Sequence, residues 1–121
     1  MKKVLIVEDE KILADLLAKK LKEESYDISL AHDGQEGFRK IREEKPDLIL
    51  LDIIMPKMGG FEVLEEMQKT PEVKNIPVIV ISNSGQPVEI SRALELGVKD
   101  YLIKTQFDPD EVVSKVKRQI G

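Results

Sequence analysis

Two kinds of hydrophobic pattern alternate along the chain. Short apolar runs of three or four residues are separated by longer segments whose apolar positions recur three or four residues apart. Short runs of this kind are typical of strands buried on both faces of a parallel sheet, and the longer spacing is typical of amphipathic helices. The runs lie at Val4–Val7, Ile28–Leu30, Leu48–Leu51, Val78–Ile81 and Tyr101–Ile103.

Five apolar stripes predict five helices between and after these runs. Their members are Ile12, Leu13, Leu16, Leu17 and Leu21; Phe38 and Ile41; Phe61, Leu64 and Met67; Val88, Ala93 and Leu94; and Val112, Val113, Val116 and Ile120. Asp33 and Asp108 have the positions of N-caps, and Gly97 stands where the fourth helix should end. Strand and helix therefore alternate five times. This order predicts an α/β fold in which a doubly wound parallel sheet carries helices on both faces, with right-handed crossovers.

Composition narrows the class of protein. A length of 121 residues predicts one domain over residues 1–121, and 41% apolar residues are enough for a core. The net charge of −4 gives no general attraction to nucleic acids or anionic lipids. There is no Cys and one His, which excludes thiol catalysis and most His-based metal sites. We expect a cytoplasmic protein that binds neither membranes nor, directly, nucleic acid.

The residues that follow the predicted strands suggest a site at one edge of the sheet. They are Glu8 and Asp9, Asp52, Ser82, and Lys104. In an open parallel sheet, ligands bind beyond the carboxyl ends of the strands. Carboxylates clustered there repel one another, and a hard divalent cation and a lysine would relieve that repulsion. Oxygen ligands without His or Cys favour Mg²⁺, with Mn²⁺ possible.

Asp52 is the most informative of these residues. It interrupts the apolar segments Leu48–Leu51 and Ile53–Met55, so a carboxylate there is either costly to bury or in use. A carboxylate can attack a phosphoryl group to form an acyl phosphate, whose oxygens then need cations and hydrogen-bond donors around them. A metal ion on Asp9 and Asp52 would supply these, together with the Lys104 ammonium and the Ser82 hydroxyl.

These features together resemble the receiver (CheY-like) domain of two-component response regulators, and in length the stand-alone chemotaxis type. The resemblance covers essentially the whole chain. Its motifs are Val4-Leu-Ile-Val-Glu-Asp-Glu10, Pro46-Asp-Leu-Ile-Leu-Leu-Asp52, Ile54-Met-Pro56, Gly60, Ile76-Pro-Val-Ile-Val-Ile-Ser82 and Gly97 through Lys104.

The resemblance implies a flavodoxin-like, five-stranded sheet in the order 2-1-3-4-5 and a role in phosphorelay signal transduction. Asp52 would accept phosphate from a sensor histidine kinase or a phosphotransfer protein. Asp9, with Glu8 beside it, would hold Mg²⁺, and the backbone carbonyl of Ile54 would complete the protein ligands. The protein would be a switch that phosphorylates and dephosphorylates itself rather than a turnover enzyme.

The resemblance also assigns a switch and an output face. Ser82 and Lys104 would contact the phosphoryl oxygens, and Tyr101 would turn inward as Ser82 moves toward the phosphate. A downstream protein would dock on the fourth helix, fifth strand and fifth helix. We expect a monomer, because Lys99 and Lys115 do not match the charge network of the family's dimers. In relatives, the lysine that corresponds to Lys104 is usually followed by a Pro, and the bond between the two is cis. Here Thr105 follows Lys104, so we expect a trans bond.

Other functions fit less well. A flavodoxin-like electron carrier would need donors for a flavin phosphate in the first loop, where the acids of Glu8–Glu10 would repel it. A Mg²⁺-dependent phosphatase with an Asp nucleophile would need a second acid two residues after Asp52, and Ile54 stands there. A pseudo-receiver that binds partners without phosphorylation would not need the set of Asp9, Asp52, Ser82 and Lys104. A receiver domain excised from a longer regulator stays open, as do the cognate kinase, stimulus and output.

Overall fold

Five strands and five helices alternate along the part of the chain that the computed structural model describes, residues 1–106 and 108–121. The strands are β1 (Lys3–Val7), β2 (Asp27–Ala31), β3 (Leu48–Asp52), β4 (Val78–Ser82) and β5 (Asp100–Ile103). The helices are α1 (Lys11–Glu23), α2 (Gly34–Glu44), α3 (Gly60–Gln68), α4 (Pro87–Glu95) and α5 (Pro109–Ile120). No helix within these residues combines the length and hydrophobicity needed to cross a bilayer.

The strands form one parallel sheet in the order β2-β1-β3-β4-β5, which confirms the predicted topology. Successive residues of a strand point to opposite faces of the sheet. In β1, Val4 and Ile6 belong to a core cluster that includes residues of α1 and α5, whereas Leu5 and Val7 belong to one that includes residues of α2, α3 and α4. Both faces are therefore covered, and this is why β1, β3 and β4 have continuous rather than alternating apolar sequences.

The predicted apolar stripe of α1 is partly wrong. Ile12 is 87% exposed and Leu16 is also exposed, whereas the contacts with the sheet are made by Ala14, Leu17, Ala18 and Leu21. These four positions have the i, i+3, i+4, i+7 spacing of a single helix face, and two of them are alanines, whose small side chains allow close packing. The predicted stripe included Leu17 and Leu21 but missed Ala14 and Ala18, because it followed the larger side chains. In α4, Val88 and Leu94 are likewise exposed.

Two aspartates cap helices as the sequence predicts. The Asp33 side chain accepts a hydrogen bond from the Glu36 N–H at 2.8 Å, and Asp108 accepts one from the Glu111 N–H at 2.9 Å. In a capping box, the Glu36 carboxylate would accept a hydrogen bond from the N–H of the N-cap, Asp33. Here Glu36 Oε1 instead accepts from the N–H of the preceding residue, His32, at 2.7 Å. The start of α2 is thereby fixed to the end of β2.

The sheet register brings the ends of the strands to a common edge. Asp52 is paired with Ile81 across β3 and β4, one residue before Ser82. The ladder continues one residue beyond two of the strands. The Glu8 N–H donates to the Ala31 carbonyl at 2.9 Å, and the Lys104 N–H donates to the Ser82 carbonyl at 2.8 Å. Backbone hydrogen bonds therefore hold Glu8 and Lys104 at the same edge as Asp52.

Gly60 allows α3 to begin against the end of β3. A Cβ at this position would lie 2.5 Å from the Asp52 carbonyl oxygen and 2.7 Å from the Ile53 Cα. The Gly60 N–H donates to the Ile53 carbonyl at 2.8 Å. A larger residue would have to push α3 away from the strand that carries Asp52, so packing requires glycine here.

The end of α4 confirms the predicted role of Gly97. Gly97 has φ +91°, its N–H donates to Leu94, and the Val98 N–H donates to Ala93, which together form a Schellman motif. The end of α1 has the same pair of bonds, but there the left-handed position is occupied by Ser25, with φ +71°. A non-glycine residue in this conformation is strained.

Substitutions at these two helix ends should have opposite effects on stability. Gly97→Ala should lower the free energy of unfolding by about 1 kcal/mol, because it places a Cβ in a left-handed conformation. Ser25→Gly should raise it by about 0.5–1 kcal/mol by relieving the same strain. Urea unfolding of both variants measures this, and a change of the same sign in both would contradict it.

Candidate functional site

A small cleft opens at the carboxyl edge of the sheet, where the strand ends meet. Its volume is about 220 Å³. Its lining comes from the ends of β1, β3, β4 and β5 and from the loops that follow them. The lining residues are Asp9, Glu10, Asp52, Ile54, Asn83 and Lys104. The cleft therefore lies where an open parallel sheet is expected to bind its ligand.

Asp52 is a buried carboxylate at the end of β3, with 3% of its surface exposed. Its Oδ1 accepts a hydrogen bond from the Ile54 N–H at 3.3 Å, and its Oδ2 accepts one from the Lys104 ammonium at 3.1 Å. Burial raises the pKa of Asp52, and the Lys104 charge opposes the rise. A buried carboxylate that could act as an oxygen nucleophile therefore lies at the cleft beside a fixed cation.

Lys104 is that cation, and its side chain is nearly buried. Besides Asp52, its ammonium contacts Glu8 at 3.0 Å and also Glu10. Burial by itself lowers the pKa of Lys104, but the hydrogen bonds to the carboxylates outweigh it and raise the pKa above its usual range. The Lys104 side chain is thus directed toward Asp52. The Lys104–Thr105 peptide bond is trans, as expected.

Glu8 and Asp9 differ in burial although they are neighbours. Glu8 is 1% exposed, so it is not a solvated acid beside Asp9, whereas Asp9 is exposed. The Glu10 N–H donates to Glu8 Oε2 at 3.0 Å. Burial raises the pKa of Glu8 to about 7; the Glu10 N–H opposes this rise and the Asp52 charge reinforces it.

The chemistry of these residues fits a hard divalent cation. Glu8, Asp9 and Asp52 each offer one carboxylate oxygen, and the three oxygens lie within 4.8 Å of one another. The buried Oε1 of Glu8 accepts no hydrogen bond from the described residues, although it lies 3.0 Å from the Lys104 nitrogen. Oxygen donors alone suit Mg²⁺ or Mn²⁺. Ile54, whose carbonyl is predicted to join Asp9 and Asp52 as a ligand, borders the same cleft.

Ser82 and Tyr101 lie on the far side of the cleft from Glu8. Ser82 is fully buried at the end of β4, and its Oγ accepts a hydrogen bond from the Ser84 N–H at 3.1 Å. The Tyr101 hydroxyl donates to the Ser84 carbonyl at 2.7 Å. Burial raises the pKa of Tyr101, and the proximity of Ser82 opposes the rise. Within the described residues, the side-chain hydrogen bonds of Ser82 and Tyr101 thus lead to Ser84 and not to Asp52.

Sequence reasoning missed Glu10 as a member of the site. From its position in the sequence, Glu10 is only one of three consecutive acids that would repel an anion. In the structure it immediately precedes α1, and its carboxylate bonds the Lys104 ammonium. The sequence offered one signal for this role. Three consecutive acids, Glu8–Glu10, directly follow a strand, and a metal site there accounts for only two of them.

Comparison with known proteins places this geometry in a family. A model of the response regulator receiver domain matches residues 4–117. Chemotaxis protein CheY4 of Vibrio cholerae has a similar structure, with 26% identity, 99% coverage of both chains and a TM-score of 0.91. The signal receiver domain of a signal transduction histidine kinase from Syntrophus aciditrophicus is 32% identical, with 99% of this chain and 90% of that chain covered and a TM-score of 0.89.

A third structure bears on the metal. The Mn²⁺-bound form of response regulator Rcp1 is 31% identical, with 97% of this chain and 92% of that chain covered and a TM-score of 0.84. The family model spans nearly all of the chain, and the fold of these relatives is the five-stranded parallel sheet described above. The chain therefore belongs to the response regulator receiver domain family of two-component signalling.

Proposed function

We propose that the chain is a phosphorelay switch in which Asp52 accepts a phosphoryl group from a sensor histidine kinase or a phosphotransfer protein, in a Mg²⁺-dependent reaction. One observation carries this proposal. A buried carboxylate, Asp52, lies 3.1 Å from the Lys104 ammonium. Two further acids lie close enough to Asp52 to bind one metal ion together with it. Burying an acid among other acids lowers the stability of the fold, so a function of Asp52 best explains its presence here.

The transfer is a displacement at phosphorus. A carboxylate oxygen of Asp52 forms the new P–O bond as the P–N bond of the donor phosphohistidine breaks, and the electron pair of that bond returns to the imidazole. The Lys104 ammonium faces the transferred group and offsets its negative charge. Ser82, whose oxygen already accepts from Ser84, has its own hydroxyl proton to donate to a phosphoryl oxygen.

The metal would be held by Asp9 and Asp52, with Glu8 beside them and the Ile54 carbonyl as the remaining protein ligand. When bound, Mg²⁺ or Mn²⁺ supplies positive charge to the phosphoryl oxygens and orients them. The clustering of three carboxylate oxygens within 4.8 Å of one another and the all-oxygen donor set support this assignment. The printed description of Rcp1 as a Mn²⁺-bound form supports it from a relative.

The hydrogen bonds of Ser84 suggest how the site reaches the surface. Ser84 donates to Ser82 and accepts from Tyr101, so a Ser82 drawn toward a phosphoryl group would displace the atoms that hold Tyr101. Phosphorylation would then shift a pre-existing equilibrium between two arrangements of this loop and ring. The readout surface would be α4, β5 and α5, where exposed Val88 and Leu94 offer apolar contacts to a downstream protein.

The chain would act as a cytoplasmic switch rather than as a turnover enzyme, and as a monomer. Asp100 in β5 pairs with Lys115 in α5 at 2.9 Å within the same chain. Both charges are thus engaged internally instead of being presented to a second copy, which supports the monomer.

Removing the exposed metal ligand should disable the switch. Asp9→Ala should weaken Mg²⁺ binding by about tenfold or more and abolish phosphorylation by acetyl phosphate, because one ligand of the cation is lost. Asp15→Ala, an exposed acid of α1 outside the cleft, is the matched control and should behave like the wild type. Metal titration and phosphate incorporation measure the two effects. Undiminished phosphorylation of Asp9→Ala would remove Asp9 from the site.

A phosphoryl mimic should move the output face. Titration with beryllofluoride and Mg²⁺ should shift NMR amide signals at Asp52, in the loop after β4 and across α4, β5 and α5. Tyr101→Phe deletes the hydroxyl that bonds Ser84, so it should keep the shifts near Asp52 and reduce those on α4 and α5. Shifts confined to the α2 side of the domain would contradict the proposed output face.

A further inference from the structure

The Lys104 ammonium has no hydrogen-bond donor to spare. An –NH₃⁺ group carries three donors and no acceptor. Three carboxylates accept them, those of Glu8, Asp52 and Glu10. If Lys104 is to donate to a phosphoryl oxygen, as the proposed function requires, one of these three partners must release it.

Burial determines which partner can leave. Glu8 is 1% exposed, so water cannot replace the ammonium if that contact breaks, and a buried acceptor would be left without its donor, which is unfavourable. Asp52 is itself the proposed acceptor and stays beside the ammonium when it carries the phosphoryl group. The Glu10 side chain is 55% exposed, so water can replace the ammonium at little free-energy cost.

The backbone around Glu10 would not be disturbed by that release. Its N–H is bonded to Glu8 Oε2 at 3.0 Å, and its carbonyl accepts from the Ala14 N–H at 3.0 Å, as the first bond of α1. The carboxylate bonds Lys104 instead of capping the helix. The side chain can therefore rotate into solvent while α1 and the Glu8 contact stay in place.

We infer that Glu10 is a positioning residue that holds Lys104 in the unphosphorylated protein and competes with the phosphoryl group for its ammonium. This role of Glu10 rests on the proposed function. It adds that the phosphoryl group displaces the Glu10 carboxylate from Lys104. Glu10 then favours the unphosphorylated state and sets part of the threshold for switching.

The sign of the effect distinguishes this role from a supporting one. A residue that merely shapes the cleft would weaken ligand binding when it is replaced. Replacing a competitor should strengthen binding, because the unliganded state loses a contact that the liganded state does not have. The gain should also shrink as ionic strength rises, since Glu10 is largely exposed and its charge is screened.

The test is the affinity for beryllofluoride at Mg²⁺ concentrations that saturate each variant. Glu10→Gln should bind the mimic roughly two- to fivefold more tightly than the wild type, which is the range expected for loss of one exposed ion pair. Glu10→Asp keeps the charge but is one methylene shorter and reaches Lys104 less well, so it should be intermediate. Asp15→Asn removes an equal charge from α1 outside the cleft and should leave the affinity unchanged.

Each other outcome has a definite meaning. Glu10→Gln that binds no more tightly than Asp15→Asn overturns the competition while leaving the proposed function intact. Glu10→Asp that matches the wild type beside a tighter Glu10→Gln overturns the contact with Lys104, since charge alone would then explain the gain. Wild-type protein that does not bind beryllofluoride with Mg²⁺ overturns the proposed function and this inference with it.

Discussion

The arrangement of the site depends on one nearly buried positive charge. Four carboxylates, those of Glu8, Asp9, Glu10 and Asp52, meet at the carboxyl edge of the sheet, and Lys104 is the cation that contacts three of them. Removing one member of a buried ion pair typically costs about 3–5 kcal/mol, because the partner is left without compensation. The backbone bond from Lys104 to Ser82 fixes this charge in place, so the sheet register and the electrostatics support each other.

The same arrangement leaves the edge with more negative than positive charge. Burial raises the pKa values of both Glu8 and Asp52, and for Glu8 the charge of Asp52 adds to the rise. A divalent cation can use this excess by binding the acids, and its positive charge then offsets the negative charge of an incoming phosphoryl group. In this account, the features that make the unliganded edge unfavourable are those that make it responsive to ligands.

Much of the fold and part of the site could be predicted from the sequence, because they depend on hydrophobic periodicity and on which residues follow the strands. The apolar runs located all five strands, and the residue after each run identified Asp52 and Lys104. The rest depends on distances that periodicity does not contain. Glu8 and Asp9 are adjacent acids in the sequence, yet the Glu8 side chain turns into the protein while Asp9 faces solvent. The contact of Glu10 with Lys104 joins residues 94 positions apart and depends on where α1 begins.

The central claim is that Asp52 is the residue that becomes phosphorylated, and reductive trapping tests it most directly. Borohydride reduces an aspartyl acyl phosphate to homoserine, which peptide mass spectrometry locates in the sequence. After incubation with acetyl phosphate and Mg²⁺, the account predicts homoserine at position 52, and none when the metal is chelated. Homoserine at position 9, or an unmodified position 52 in protein that has incorporated phosphate, would contradict it.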